Sequence, residues 1–233
     1  ADVESRGLGD VYKRQNQYRL QNDYDGARQQ FDSLLNYSKD DSEIYWSILL
    51  CDYGIEYVKD PQTKKRIPTC HRTIASPITK NPNYISAIKF ASSDEARELY
   101  QQEAAEIDRL QKDILSISQT VDPYDIFICY KESDDNGART IDSVIAQELY
   151  DKLQQDHYRV FFSRQTLKTV PGTTYEPYIY AALESSKVMI VIGSQRKFLE
   201  SPWVKNEWNR FLAQIQRGAK KLLIPAYKGM SPY

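Results

Sequence analysis

The sequence is poor in the residues that build metal sites and disulfides. Its 233 residues include three cysteines, Cys51, Cys70 and Cys129, and two histidines, His71 and His157. The cysteines are unevenly spaced and two sit inside apolar runs like small core residues, so disulfides are not expected. Cys70 and His71 are adjacent, but a structural zinc needs about four ligands at tight spacing, and only His157 and two scattered cysteines remain. No metal is expected. A nucleophile–histidine arrangement fails on the same scarcity, because a base must lie within hydrogen-bond reach of its Ser or Cys. Charge of one sign is also missing: Lys+Arg 31 stands against Asp+Glu 32, for a net −1. That balance, with no basic stripe, argues against nucleic-acid or membrane-surface partners. No apolar run reaches the roughly 20 residues of a membrane span and no signal peptide opens the chain, so a soluble cytoplasmic protein is expected. The signatures G-x-x-x-x-G-K-S/T, G-x-G-x-x-G after a strand and H-E-x-x-H are all absent.

What is present changes character along the chain. Residues 1–15, "ADVESRGLGDVYKRQ", have no periodic apolar face; they look like translated adapter sequence and are expected to be a non-native or disordered leader. From Tyr18 the text turns helical, with Ala27, Phe31, Leu34 and Leu35, then Ile44, Tyr45, Ile48, Leu49 and Tyr53, at helix spacings around a polar "SKDDSE" break. This order of small, aromatic and Leu positions resembles one tetratricopeptide helix pair. The following "KDPQTKKRIPTCHRTIASPITKNPNY" is dense in proline and charge, and is expected to be a long connection with little regular structure. A further helix starts at Ser93 as N-cap, with Leu99, Ala105, Ile107, Leu110 and Ile114 as its apolar stripe.

Near Pro123 the pattern becomes that of βαβ units. "YDIFICY", "YRVFF", "KVMIVIG" and "KKLLIPAY" are short apolar runs separated by helical stretches, which implies a parallel sheet buried on both faces. The expected organisation is a leader (1–15), a helical region (16–120) and an α/β domain (121–233). Ligands of such sheets bind beyond the carboxyl ends of the strands, so the loops "KESDDNGART", "SRQTLKTVPGTTYE" and "SQRKFLESPW" are the ones to inspect. In the first, Lys131 is either part of a solvated charged loop or a contact to phosphate or ribose, and Tyr130 is either core or a stacking ring. In the second, "VPGTT" is ordinary turn chemistry, yet the loop exceeds the usual two to six residues, which suits a binding or lid loop.

The helix "SPWVKNEWNRF" follows the third loop. Ser201 suits the N-cap and Pro202 the first helical position. At about 100° per residue, Val204, Trp208, Phe211 and Ile215 form the stripe facing the sheet, while Trp203, Glu207, Arg210 and Gln214 form a second stripe roughly 90° away. Glu207 is not a capping-box glutamate, since the position three after Ser201 is Val204. Two readings stay open: a surface pair with Arg210 worth about 0.3 kcal/mol, or a functional carboxylate at the ligand edge of the sheet.

Taken in order, "YDIFICY", "RVFFSRQTL" with "VPG", "AALESSKVMIVIGS", "SPWVKNEWNRF" and "KKLLIPAY" resemble the successive elements of a bacterial Toll/interleukin-1 receptor (TIR) domain, from Tyr124 onward. Cys129 stands where the first motif of that family usually has Ser, only Pro171-Gly172 survives of the second, and the aromatic pair of the third is missing, so a C-terminally truncated domain is expected. The resemblance implies a flavodoxin-like parallel sheet preceded by an all-α helical region. It also implies an NAD+ glycohydrolase or ADP-ribosyl cyclase-like hydrolase with NAD+ as substrate rather than cofactor. Glu207 of the W-x-x-x-E helix would be catalytic, with Trp203, Tyr130, Lys131, Ser163 and Arg164 as substrate contacts. Val170, Pro171, Gly172 and Thr173 would form the loop through which copies of the chain assemble into a homo-oligomer. Prokaryotic antiphage defence or signalling, with nicotinamide plus ADP-ribose or a cyclic ADP-ribose as products, follows from the same resemblance. A TIR scaffold that mediates protein assembly without catalysis is the alternative.

Overall fold

A computed structural model describes residues 23–59, 66–169 and 175–227. The chain separates into two compact units, Ala1–Asp113 and Ile114–Tyr233. The assembly-loop residues Val170, Pro171, Gly172 and Thr173 and the leader lie outside the described residues.

In the first unit, helices α1 (Tyr24–Leu34) and α2 (Ser42–Asp52) are each started by an aspartate, Asp23 or Asp41, whose side chain accepts a backbone N–H of the first turn. They share a core of Tyr24, Ala27, Phe31, Ile44, Ile48 and Cys51, which includes the positions the helical spacing marks. Helix α2 stops at Gly54, whose φ of +58° is the left-handed conformation that ends helices. The residues beyond it are not helix. Strands β1 (Ile55–Lys59) and β2 (Arg66–Cys70) form an antiparallel hairpin, with Tyr57 opposite Pro68. This corrects the expectation of an irregular connection: Pro68 masks the strand in the sequence, yet a two-stranded ribbon tolerates a residue without an N–H on its open side.

The stretch after the hairpin is held by side chains rather than by its own ladder. It leads to α3 (Pro82–Lys89) and α4 (Asp94–Thr120). On α4, Gln111 accepts from Ile74 N at 2.9 Å and donates to Arg72 O at 2.9 Å, and Asp108 accepts from Ile78 N at 2.8 Å. Buried positions Tyr100, Ala104, Ile107 and Gln111 recur every three or four residues, while Leu99 is 52% exposed and Ala105 faces solvent. Ile107, Leu110 and Ile114 are buried as expected, whereas in the first half of the helix Tyr100 and Ala104 are buried in place of Leu99 and Ala105, with Tyr100 stacked on Trp46 at 4.8 Å.

The second unit is a four-stranded sheet of β3 (Ile126–Cys129), β4 (Val160–Phe161), β5 (Val188–Gly193) and β6 (Leu222–Tyr227), in the order β4-β3-β5-β6 and parallel throughout. The fold is therefore α/β, as expected. Alternation sorts each strand's side chains between two faces. Phe127, Cys129, Phe161, Met189 and Val191 pack with α7 (Glu176–Ser185) and α9 (Pro202–Gln216). Ile126, Ile128, Tyr130, Val160, Phe162 and Ile192 pack on the opposite face with α5 (Ile141–Gln155). Two short helices, α6 (Ser163–Thr166) and α8 (Arg196–Leu199), occupy the loops after β4 and β5. Strand β6 departs from the expectation of full burial, with Leu222 and Ile224 exposed; among the described residues it has a neighbour on one side only.

The hairpin predicts a stability effect. A Cβ on Gly54 would sit 2.9 Å from Arg72 Cγ and 3.0 Å from Arg72 N, and the left-handed backbone itself disfavours a side chain by roughly 1–2 kcal/mol. Gly54→Ala is expected to lower unfolding free energy by about 2 kcal/mol, read as a shift in urea midpoint without a change in slope.

Candidate functional site

The chain runs from β3 to β4 on one side and returns to β5 on the other, which makes the carboxyl ends of β3 and β5 the crevice where parallel sheets of this kind hold ligands. Asp142 spans that crevice. It is fully buried in the first turn of α5, and its Oδ1 accepts from Ser194 N, just past β5, at 2.9 Å. Burial pushes its carboxyl up, with the Ser194 hydrogen bonds partly opposing.

On the α7/α9 face, Cys129 ends β3 and Glu207 approaches it from the second turn of α9. Glu207 is half-buried as a residue, but its carboxyl reaches the fully buried Cys129 thiol. Desolvation pushes the Glu207 carboxyl from its ordinary 4.5 up to about 7, and the hydrogen bond from Cys129 partly offsets the rise. The thiol lies 3.6 Å from Val204 O as well. No cation among the described residues pairs with Glu207.

Arg210 is the cation that a surface pair would have required, and it points elsewhere. Fully buried, it donates from Nη2 to Glu184 of α7 at 2.9 Å and lies over the Tyr180 ring at 4.1 Å. Gln214 donates to the same Glu184 oxygen at 2.9 Å. Of the two readings of the second stripe, the surface pair is thus the one the structure overturns. The N-terminus of α9 also differs from expectation. Ser201 occupies the N-cap without a capping bond and donates its hydroxyl back to Phe198 O at 2.8 Å, since α8 ends directly beneath it. Val204 and Phe211 are buried against the sheet, with Trp208 and Ile215 packed beside them, as the phase of the helix requires.

On the α5 face, Glu132 gathers a polar network. Tyr130 donates to Glu132 at 2.8 Å and shares a 3.0 Å hydrogen bond with Ser163; Ser143 donates to Glu132 at 3.0 Å; Arg164 forms an ion pair with it. Burial opposes ionisation of Glu132, but the bonds from Tyr130, Ser143 and Arg164 bring its carboxyl below the usual range. Burial also raises Tyr130, so it remains a phenol donor. Beside the network is a groove of about 320 Å³ lined by Glu132, Ser163, Arg164, Leu167, Lys168 and Tyr175. Leu167 also packs against the core cluster that contains Cys129 and Val204.

Of the expected substrate contacts, the structure brings Tyr130, Ser163 and Arg164 together. Lys131 is not hydrogen-bonded to any of the three among the described residues; its carbonyl instead accepts from Thr140 Oγ1, at the start of α5. Trp203, half-buried, lies one turn before Glu207 on α9. The described lining of the groove contains neither of these two α9 residues.

Residues 126–231 match the family model of the TIR domain. This segment is a TIR domain. No curated protein and no solved structure matches the chain. Within the TIR domain, the residues that sequence reasoning passes over are Glu132, Ser143, Asp142 and Glu184. Asp142 carries a local signal, two residues after the Thr140 N-cap. The partner of Arg210 carries none, because Glu184 lies 26 positions away on another helix.

The buried pair yields a comparison of two substitutions. Glu184→Ala strands the guanidinium in the core and is expected to cost about 3 kcal/mol, the low end for breaking a buried pair, since the Glu184 side chain is 36% exposed. Arg210→Met fills the same space without a charge and is expected to stay within about 1 kcal/mol of wild type. Urea unfolding of both variants checks the order.

Proposed function

We propose that the TIR domain cleaves NAD+ at the bond between nicotinamide and ribose, with Glu207 as the catalytic carboxylate. The observation that carries this reading is a desolvated carboxyl with no cationic partner at the carboxyl end of β3. Such a group costs stability when it ionises, and proteins keep strongly perturbed, uncompensated groups chiefly where chemistry uses them. A substrate that brings its own positive charge completes the pair. The nicotinamide ring of NAD+ is cationic, and as the C1′–N bond breaks its electron pair goes to the ring nitrogen, so the leaving group departs neutral without a general acid. Positive charge then develops on the ribose, where Glu207 stabilises it and accepts hydrogen bonds from the ribose hydroxyls. Water adding at C1′ with loss of a proton gives ADP-ribose; attack by a nucleophile of the same molecule gives a cyclic product.

Trp203, four residues before Glu207, offers a ring face for a base. Arg164 and Lys168, which line the groove with Ser163, are the cations suited to the pyrophosphate, and Tyr130 is bonded to Ser163; Lys131 is kept as a substrate contact on the resemblance alone. Activity on self-association and a role in prokaryotic defence or signalling complete the reading.

Concentrated wild-type protein is expected to release nicotinamide from NAD+, followed by chromatography, and Glu207→Gln to reduce release at least 100-fold, about 2.7 kcal/mol of transition-state stabilisation. A silent wild type with an intact fold, or a Gln variant at full rate, refutes the reading and leaves the TIR domain as an assembly module.

The protonation of Glu207 gives two further expectations. Because the ionised form works, kcat/KM is expected to rise with pH through about 7. In stability the sign is opposite. With a folded value of about 7 against 4.5 unfolded, the native state holds the extra proton between them, and that contribution is lost as pH rises through about 7. Glu207→Gln is therefore expected to melt above wild type at pH 8 and to lose that advantage at pH 5, measured by thermal denaturation.

A further inference from the structure

The Glu132 network fixes the direction in which its protons point. An ionised carboxylate only accepts hydrogen bonds, whereas a hydroxyl has one proton and donates it once. The Tyr130 phenol oxygen lies 2.8 Å from Glu132 Oε2 and 3.0 Å from Ser163 Oγ. Its proton goes to the carboxylate, so the contact with Ser163 is a hydrogen bond only if the serine donates to the phenol oxygen. Ser163, which lines the groove, then has no proton left for a ligand. We propose that Ser163 is a specificity-determining residue whose Oγ acts in the groove as an acceptor only, selecting a diphosphate ester with a free sugar hydroxyl beside its phosphates.

The groups around Glu132 all run in the same sense. Ser143 Oγ accepts from Arg139 Nε at 2.9 Å and gives its own proton to Glu132 Oε2 at 3.0 Å. Arg164 pairs with the other carboxylate oxygen, Oε1. With two hydroxyls on one oxygen and a guanidinium on the other, the carboxylate stays ionised and takes the Tyr130 proton. Tyr130 is 7% exposed and its ring packs on Phe162 at 5.2 Å, which holds the phenol in this position. Among the described residues Ser163 Oγ has no hydrogen-bond partner besides the phenol, so its remaining lone pair is what it offers the groove.

The rest of the groove offers the opposite. Arg164 and Lys168 are donors only, and both line the same space of about 320 Å³. A bare phosphate satisfies these cations but meets Ser163 acceptor against acceptor. A sugar hydroxyl next to the phosphates turns that contact into a hydrogen bond, worth about tenfold in affinity. In NAD+ a ribose adjoins the pyrophosphate on either side. The inference rests on the reading of the groove as the pyrophosphate site, but it does not require that the bond to nicotinamide be cleaved.

Calorimetric titration of the full chain with ADP-ribose and with inorganic pyrophosphate tests it. Arg164→Ala is expected to weaken both by about tenfold or more, which places them in the groove. Ser163→Ala is expected to weaken ADP-ribose about tenfold and to leave pyrophosphate within about twofold of wild type. Tyr130→Phe frees the Ser163 proton and is expected to tighten pyrophosphate about threefold, a gain that disappears when Ser163→Ala is added. If Ser163→Ala weakens both ligands alike, the serine donates to phosphate and the inference is overturned. It is equally overturned if Ser163→Ala leaves ADP-ribose unchanged, if Tyr130→Phe brings no gain, or if no ADP-ribose binding depends on Arg164. Neither ligand contains nicotinamide, so a silent nicotinamide assay refutes the proposed function and leaves this result standing, whereas nicotinamide release with the wrong binding pattern refutes this inference alone.

Discussion

The parity of one short strand governs this edge of the sheet. Successive strand side chains face opposite ways, so Cys129 and Tyr130, although adjacent in sequence, belong to different cores. Each draws a glutamate into its own surroundings. Cys129 meets Glu207, which arrives on a helix packed against the α7 face. Tyr130 meets Glu132, which follows it by two residues and so returns to the same side. A one-residue slip of β3 would exchange the two environments, and with them the chemistry available to each carboxylate.

Those environments differ in what they supply. Glu132 is surrounded by donors: a phenol, a hydroxyl and a guanidinium, which outweigh its burial and keep it ionised. Glu207 has one weak donor and no cation, and its burial goes largely unopposed. Separation of titratable groups by environment is how a fold assigns them different tasks. Glu132 is satisfied by the protein and acts as a brace between the β3 loop, α5 and α6. Glu207 has no such set of partners among the described residues, and under the proposed function a cationic substrate group would supply the missing one.

Much of the second unit was legible because its signals are local. The alternation of short apolar runs with helical stretches marks the parallel sheet, and the 100° phase of α9 assigns Val204, Trp208, Phe211 and Ile215 to the core. The position of Glu207 at the ligand edge follows from the same grammar. Its state does not, because that depends on where Arg210 points, and the choice was made by Glu184 on a helix 26 residues earlier. The hairpin was hidden for a related reason. Pro68 and its charged neighbours signal a loop, and only the pairing with Ile55–Lys59, triggered by the helix stop at Gly54, overrides that signal. On α4 the stripe was legible at Ile107, Leu110 and Ile114, and missed at its first turns because Leu99 and Tyr100 are both apolar and the stack of Tyr100 on Trp46 decides between them.

Glu184 acquires a second meaning from this comparison. Glu207 and Arg210 are three residues apart on α9, the spacing at which helical side chains readily pair. Had they paired, the guanidinium would have supplied a counter-ion and favoured the charged carboxylate. Arg210 is held instead by Glu184, to which Gln214 also donates, with the Tyr180 ring beneath the guanidinium, although its Nε and Nη1 are buried without a hydrogen-bond partner among the described residues. By engaging Arg210 inside the core, the α7–α9 interface leaves Glu207 uncompensated. A buried ion pair is often a poor source of net stability; here its consequence is to hold a neighbouring charge apart.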